Sequence, residues 1–230
     1  METSKHTAVN IKKWNKWAPE ADGKGWVYHY LRTAQAELIS ILDLKENVHF
    51  LDIGCGTGWA IGQAAQVVNE QGEFYGVDLS PKMIEKAKEN FRGHNNFHFI
   101  EANSESIPLN DNFFDVIICS NSFHHYLHPD KAMKEIRRLL KPGGKIFILD
   151  PTADTLFIKF IDKIIKLVES AHVKMYSTKE FKQLMTTAEL QYLESRTIKG
   201  EKVHIGEKWG LSPPDRHRDP LRMDWDNRVR

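Results

Sequence analysis

The chain has little cysteine, no long apolar run and almost no net charge, and each shortage removes a class of protein. Only Cys55 and Cys119 occur in 230 residues, which fits neither a disulfide framework nor a zinc-ligand spacing. No stretch reaches the roughly 18 uninterrupted apolar residues of a membrane span, and residues 1–30 hold no apolar signal-peptide core. Together these features predict a reducing compartment, the cytoplasm. Thirty-two basic against 31 acidic side chains leave a formal charge of +1, so no general attraction draws nucleic acid to the surface. A second glycine-rich loop is also missing, and a hydrophobic content of 41% supports one sizeable core, so a single domain is expected.

What is present is the run Leu51-Asp52-Ile53-Gly54-Cys55-Gly56-Thr57-Gly58, followed by Gly76-Val77-Asp78. Phe50 to Ile53 reads as the end of a buried strand. The three glycines let the chain turn sharply and leave no Cβ between backbone and ligand. The loop feeds Trp59 to Ala65, a helix whose first amides point back at whatever the loop holds. Asp78 closes a second apolar strand, Phe74 to Val77, where a carboxylate can accept from both hydroxyls of a ribose. A plain turn with an N-capping aspartate is the alternative reading. Trp59 stands where a dinucleotide fingerprint carries its third glycine, which argues against a pyrophosphate cradle and a nicotinamide enzyme.

The pattern Asp-x-Gly-x-Gly-x-Gly resembles the first motif of class I S-adenosylmethionine-dependent methyltransferases, with Asp78 at the ribose-binding acid. Further matches follow in family order: Asn103-Ser104-Glu105-Ser106-Ile107-Pro108, Phe114-Asp115-Val116-Ile117-Ile118, Phe123-His124-His125-Tyr126 and Leu140-Lys141-Pro142-Gly143-Gly144-Lys145-Ile146. The last two are similar to signatures of the subgroup that includes ubiquinone and menaquinone methylases.

The resemblance implies S-adenosylmethionine as cofactor and S-adenosylhomocysteine as product. It assigns Asp52, Gly54, Cys55, Gly56 and Gly58 to the methionine portion, Asp78 to the ribose, Leu79 to a face of the adenine, and Asn103 and Ser104 to its edge. Asn103 departs from the aspartate common at its position and offers a neutral acceptor. Ser120 and Asn121 fall near the methyl group. His124 and His125 are candidates for a base that takes the acceptor's proton; orienting the loop is the alternative role. No metal is required. Cys119, inside a buried strand, reads as a small hydrophobe. Ser120-Asn121-Ser122-Phe123 lacks the Asn-Pro-Pro-Tyr element of amino-methylating nucleic-acid enzymes. The acceptor is therefore expected to be a small molecule, methylated on oxygen, nitrogen or carbon. An RNA or protein methylase and a non-catalytic S-adenosylmethionine-binding protein are the competing readings.

Strands alternating with helices predict a mostly parallel α/β sheet with helices on both faces and ligands at the strands' carboxyl ends. Ser80-Pro81 and Ser177-Thr178-Lys179-Glu180 read as helix starts. Pro142-Gly143-Gly144 predicts a turn into a strand from Lys145 to Leu149. Segments near Tyr192 to Thr197 and Lys202 to Ile205 would complete, by the resemblance, a Rossmann-like seven-stranded sheet whose last strand is antiparallel. Residues 1–47, rich in aromatics at Trp14, Trp17, Trp26, Tyr28 and Tyr30, are expected to form a lid and first helix, or else to pack on the flank. Residues 48–209 form the core, with a helical insertion at 151–189 that roofs the acceptor pocket or packs as an ordinary amphipathic helix. Residues 210–230 carry five of ten arginines, three of nine prolines and none of 22 lysines. That segment reads as a disordered or foreign tail, with an arginine-rich contact arm as the alternative.

Overall fold

The computed structural model describes residues 2–210 except 22 and 24; the expectation for the tail at 211–230 lies outside them. Two helices come first, α1 (Glu2–Trp17) and α2 (Trp26–Ser40). There follow β1 (Val48–Ile53), α3 (Trp59–Val67), β2 (Gly72–Asp78), α4 (Pro81–Asn90), β3 (Phe97–Glu101) and β4 (Phe114–Ser120). Then come α5 (Pro129–Leu139), β5 (Leu140–Asp150), α6 (Leu156–Val168), α7 (Thr178–Thr187), β6 (Leu190–Ile198) and β7 (Glu201–Lys208). The seven strands form one sheet in the order β3-β2-β1-β4-β5-β7-β6. β1 to β5 run parallel, and β7 lies antiparallel between β5 and β6, as expected for the last strand.

Alternation along the strands sends neighbours to opposite faces, which places a core on each side of the sheet. Phe50 and Ile118 pack with Leu38, Ile61 and Ile84 beneath α2, α3 and α4. Leu51 and Ile117 pack with Met133, Ile136 and Phe181 beneath α5 and α7. Both helix starts read from sequence are present: Ser80 Oγ accepts from Met83 N at 3.2 Å ahead of Pro81, and Ser177 and Glu180 form a reciprocal capping box. From β1 the chain winds outward to β3, then returns to place β4 on β1's other side. That reversal opens a crevice at the carboxyl ends of β1 and β4.

One expectation is corrected. Pro142-Gly143-Gly144 does not precede its strand but lies inside β5, as a bulge over which pairing with β4 jumps from Phe114↔Leu140 to Val116↔Lys145. Gly143 takes φ +79° there, so the turn-forming residues absorb an irregularity within the ladder. The helix α6 has no fully buried residue and none of its side chains lines the cavity described below, although Glu169, just after it, does.

Candidate cofactor and acceptor site

A cavity of about 400 Å³ opens at the carboxyl ends of the parallel strands, within the size range of small-ligand sites. Its floor is the glycine loop. Gly54 N and Cys55 N donate to Val77 O at 2.7 and 3.0 Å, which ties the loop to β2. Gly56 N and Ser80 N then donate to the two carboxylate oxygens of Asp78 at 2.9 and 2.8 Å. Burial raises the Asp78 carboxyl above its usual pKa, and the N–H bonds from Ser80 and Gly56 offset part of that rise.

The three glycines have positive φ, and each meets a different constraint. A Cβ on Gly54 would lie 2.2 Å from Ser122 Oγ, one on Gly58 would lie 2.8 Å from the Phe91 ring, and one on Gly56 would meet nothing within 4 Å. Gly56 therefore borders open space that a ligand can fill. Gly58→Ala is expected to lower unfolding free energy by about 1–3 kcal/mol, combining left-handed strain with overpacking. Thermal denaturation checks this, and an unchanged midpoint would contradict it.

Gly54, Cys55, Gly56, Asp78, Leu79, Asn103, Ser104 and Ser120 all line the cavity. Asn103 Oδ1 accepts from Glu105 N at 2.9 Å, so one of its acceptor positions is already engaged. Asp52 and Gly58, which the resemblance gave to the methionine portion, do not lie on the cavity wall. Gly58 is required by packing. Asp52 is 1% exposed, and burial together with the Asp78 charge pushes its carboxyl up to about 8. Its Oδ1 has no hydrogen-bond partner. Asp52, buried with one carboxylate oxygen unpaired, and Asp78, on the cavity wall, put two carboxyl groups beside one loop, which suits a cationic ligand there.

On the side of β1 away from β2, the cavity wall is built from the segment after β4. His124 and His125 form a single 3-10 turn with Phe123 and both line the wall. His124 Nδ1 bonds the fully buried Asp150 at 2.9 Å. Burial pulls the His124 pKa down, but the charge and hydrogen bond of Asp150 outweigh it and leave the ring above its usual value. His125 donates through Nδ1 to Ala171 O at 2.9 Å; burial, then the neighbouring His124, drives it down to about 2. The paired histidines are thus unequal: His124 holds protons well and His125 stays neutral. Behind them His172 bonds Asp162 at 2.7 Å. One ring nitrogen from each of the three histidines lies within 4.8 Å of the others, the one metal-like grouping among the described residues. Two of the rings are paired to carboxylates, and His124 and His125, but not His172, line the cavity.

The N-terminal aromatics divide. Trp14, Trp17 and Tyr28 line the cavity, whereas Trp26 is 82% exposed and Tyr30 turns away to bond Lys199 O and Glu201. Trp14 meets the His125 ring edge-on at 5.2 Å, and His6 bonds the His125 carbonyl at 2.9 Å. Gln35 reaches Ser120 Oγ at 2.8 Å from α2. Sequence reading missed Gln35, although a signal existed: it is a polar residue on the face shared by Leu31 and Leu38. It also missed His6, His172 and the buried Glu201, whose carboxyl is pushed up to about 7 by burial and by Asp150.

Fold and site define a cofactor-binding α/β enzyme scaffold with the ligand crevice at the strand reversal. A family model described as a methyltransferase domain matches residues 44–200, and the chain belongs to that family. S-adenosylmethionine is the family's cofactor, and the residues around Gly56 and Asp78 fit it. The chain is similar to the uncharacterized methyltransferase YcgJ of Bacillus subtilis, at 29% identity over 159 residues, 67% of this chain and 62% of that protein. The YcgJ crystal structure superposes with a TM-score of 0.66 at 21% identity, covering 76% of this chain and 98% of that one. The ubiquinone/menaquinone biosynthesis C-methyltransferase UbiE of Vibrio campbellii is 33% identical over 103 residues, 44% of this chain and 40% of that protein. A SAM-dependent methyltransferase structure from Aquifex aeolicus superposes with a TM-score of 0.66 at 21% identity, covering 84% of this chain and 97% of that one. The chain thus spans from about two fifths to about three fifths of the length of the first curated relatives it matches. No helix among the described residues is long and apolar enough to cross a membrane.

Proposed function

We propose that this chain transfers a methyl group from S-adenosylmethionine to an oxygen, nitrogen or carbon of a small molecule in the cytoplasm. The observation that carries the reading is one cavity in which the glycine loop after β1 stands between Asp78, at the end of β2, and Ser120 with the His124–Asp150 pair, at the ends of β4 and β5. The bound cofactor supplies an electrophilic methyl group on a sulfonium. Gly54 to Gly56 and Asp78 hold the cofactor, Leu79, Asn103 and Ser104 frame its adenine, and Trp14, Trp17 and Tyr28 keep water from the reacting end. His124 accepts the acceptor's proton, and His125, held neutral, shapes the wall beside it.

A small acceptor is favoured over RNA by the charges on this wall. Lys13 is ion-paired with Glu169, and Arg32 lies over the Trp59 ring at 5.8 Å, so the lining is not an open basic groove. The similarity to UbiE, a biosynthetic C-methyltransferase by its name, supports the same class.

Asp78→Ala is expected to weaken S-adenosylmethionine binding by about 1.5–3 kcal/mol, the range for a charged hydrogen-bonding group. Calorimetry reads it, and unchanged affinity in a folded variant would remove Asp78 from the site. The function itself is tested with methyl-deuterated S-adenosylmethionine added to a cell extract with the purified protein. Label is expected in a low-mass product. Label found only in RNA or protein would shift the acceptor class, and binding without any transfer would favour a non-catalytic role.

A further inference from the structure

The helix α6 carries an exposed surface that methyl transfer does not use. At about 100° per residue, Leu156, Phe157, Phe160, Ile164, Leu167 and Val168 fall within one arc of about 120°, and all six are exposed, Phe160 by 60% and Leu167 by 86%. The inward side is held differently. Ile158, Ile161 and Ile165 are partly covered, and Asp162, the helix's single acid, accepts from Met175 N at 2.7 Å and pairs with His172. That anchor fixes which face looks outward. Beside the apolar arc, on its solvent side, lie Lys159, Lys163 and Lys166, and among the described residues none of the three is ion-paired.

An apolar stripe of this size on a water-exposed helix requires a cover. The charge pattern selects among covers. A second copy of the chain would bring its own lysine row against this one with no outward acid in the helix to offset it. A cavity-closing role would need these side chains on the cavity wall, where none of them lies. An apolar stripe flanked by lysines matches the boundary between acyl chains and anionic headgroups, where bulky side chains sink a few ångströms and ammonium groups reach phosphate.

We propose that α6 is a docking helix for an anionic lipid surface, lying in the headgroup plane with Phe157, Phe160 and Leu167 inserted and Lys159, Lys163 and Lys166 on phosphates. This surface is distinct from the cofactor cavity, and the proposal does not depend on the methyl-transfer reading.

The test is co-sedimentation of the full chain with phosphatidylcholine vesicles, with and without phosphatidylglycerol, alongside light scattering for oligomeric state. Binding to the anionic vesicles is expected to be at least about tenfold stronger, three lysines each adding attraction, and to fall as salt is raised. Phe157→Glu with Phe160→Glu should abolish it. Lys159→Gln, Lys163→Gln and Lys166→Gln together should remove the preference for anionic lipid. Circular dichroism and cofactor calorimetry on the same variants show that the fold and the separate site are intact. Equal binding to both vesicle types, or binding to neither, would overturn the proposal. So would a dimer that Phe160→Glu dissociates and that does not bind vesicles, since a second copy would then be the cover.

Discussion

Gly56→Val is expected to abolish S-adenosylmethionine binding while leaving the sheet folded. Gly56 has φ +53° and open space around its missing Cβ, so a branched side chain would stand in the cavity where the cofactor's methionine portion belongs. The loss should exceed that of Asp78→Ala, because a side chain in the occupied volume excludes the ligand and does not merely remove one of its contacts. Backbone strain needs its own control. Gly93, at φ +94° with nothing near its missing Cβ, lies outside the cavity lining, so Gly93→Val carries similar strain without obstruction. Calorimetry should show binding in Gly93→Val and none in Gly56→Val, with circular dichroism of both near that of the parent. Retained affinity in Gly56→Val would reduce the loop to a structural turn.

His124→Asn is expected to lower kcat by about 10²–10⁴, the usual span for a positioned acid–base group, with cofactor affinity unchanged. Asp150 raises the His124 pKa against the opposing effect of burial. The ring must be neutral to accept a proton, and below its pKa it is already charged. Turnover should therefore climb as pH rises through a range above that of an ordinary histidine, then level off. His124→Asn should flatten that rise as well as lower it. His125→Asn should leave the profile's position nearly unchanged, since His125 is neutral throughout. A full pH profile in His124→Asn would assign the proton elsewhere and leave His124 as a positioning residue.

Contiguity decided what the sequence could disclose. Gly54, Cys55, Gly56 and Asp78 were legible because one loop and the end of the adjacent strand hold them, and strand alternation fixes where those ends lie. Helix starts at Ser80 and Ser177 were legible because capping is local chemistry. Contacts across long separations were not: nothing local to Gln35 or His172 announces Ser120 or His124 as a neighbour. The burial of Asp52 was not legible either, since its place in the motif does not show that the loop covers its carboxyl. Pro142-Gly143-Gly144 carries turn chemistry, and only the pairing of β4 with β5 reveals a bulge. For α6 the periodicity gave an apolar face correctly but could not say what that face meets.

The most direct test of the central claim, that the glycine loop, Asp78 and the His124 segment form one methyl-transfer site, is a crystal structure with S-adenosylhomocysteine bound. The account expects the ribose on Asp78, the backbone of Gly56 against the amino-acid portion, and the sulfur directed toward Ser120 and His124. A ligand seated elsewhere, or one whose sulfur points away from His124, would contradict it.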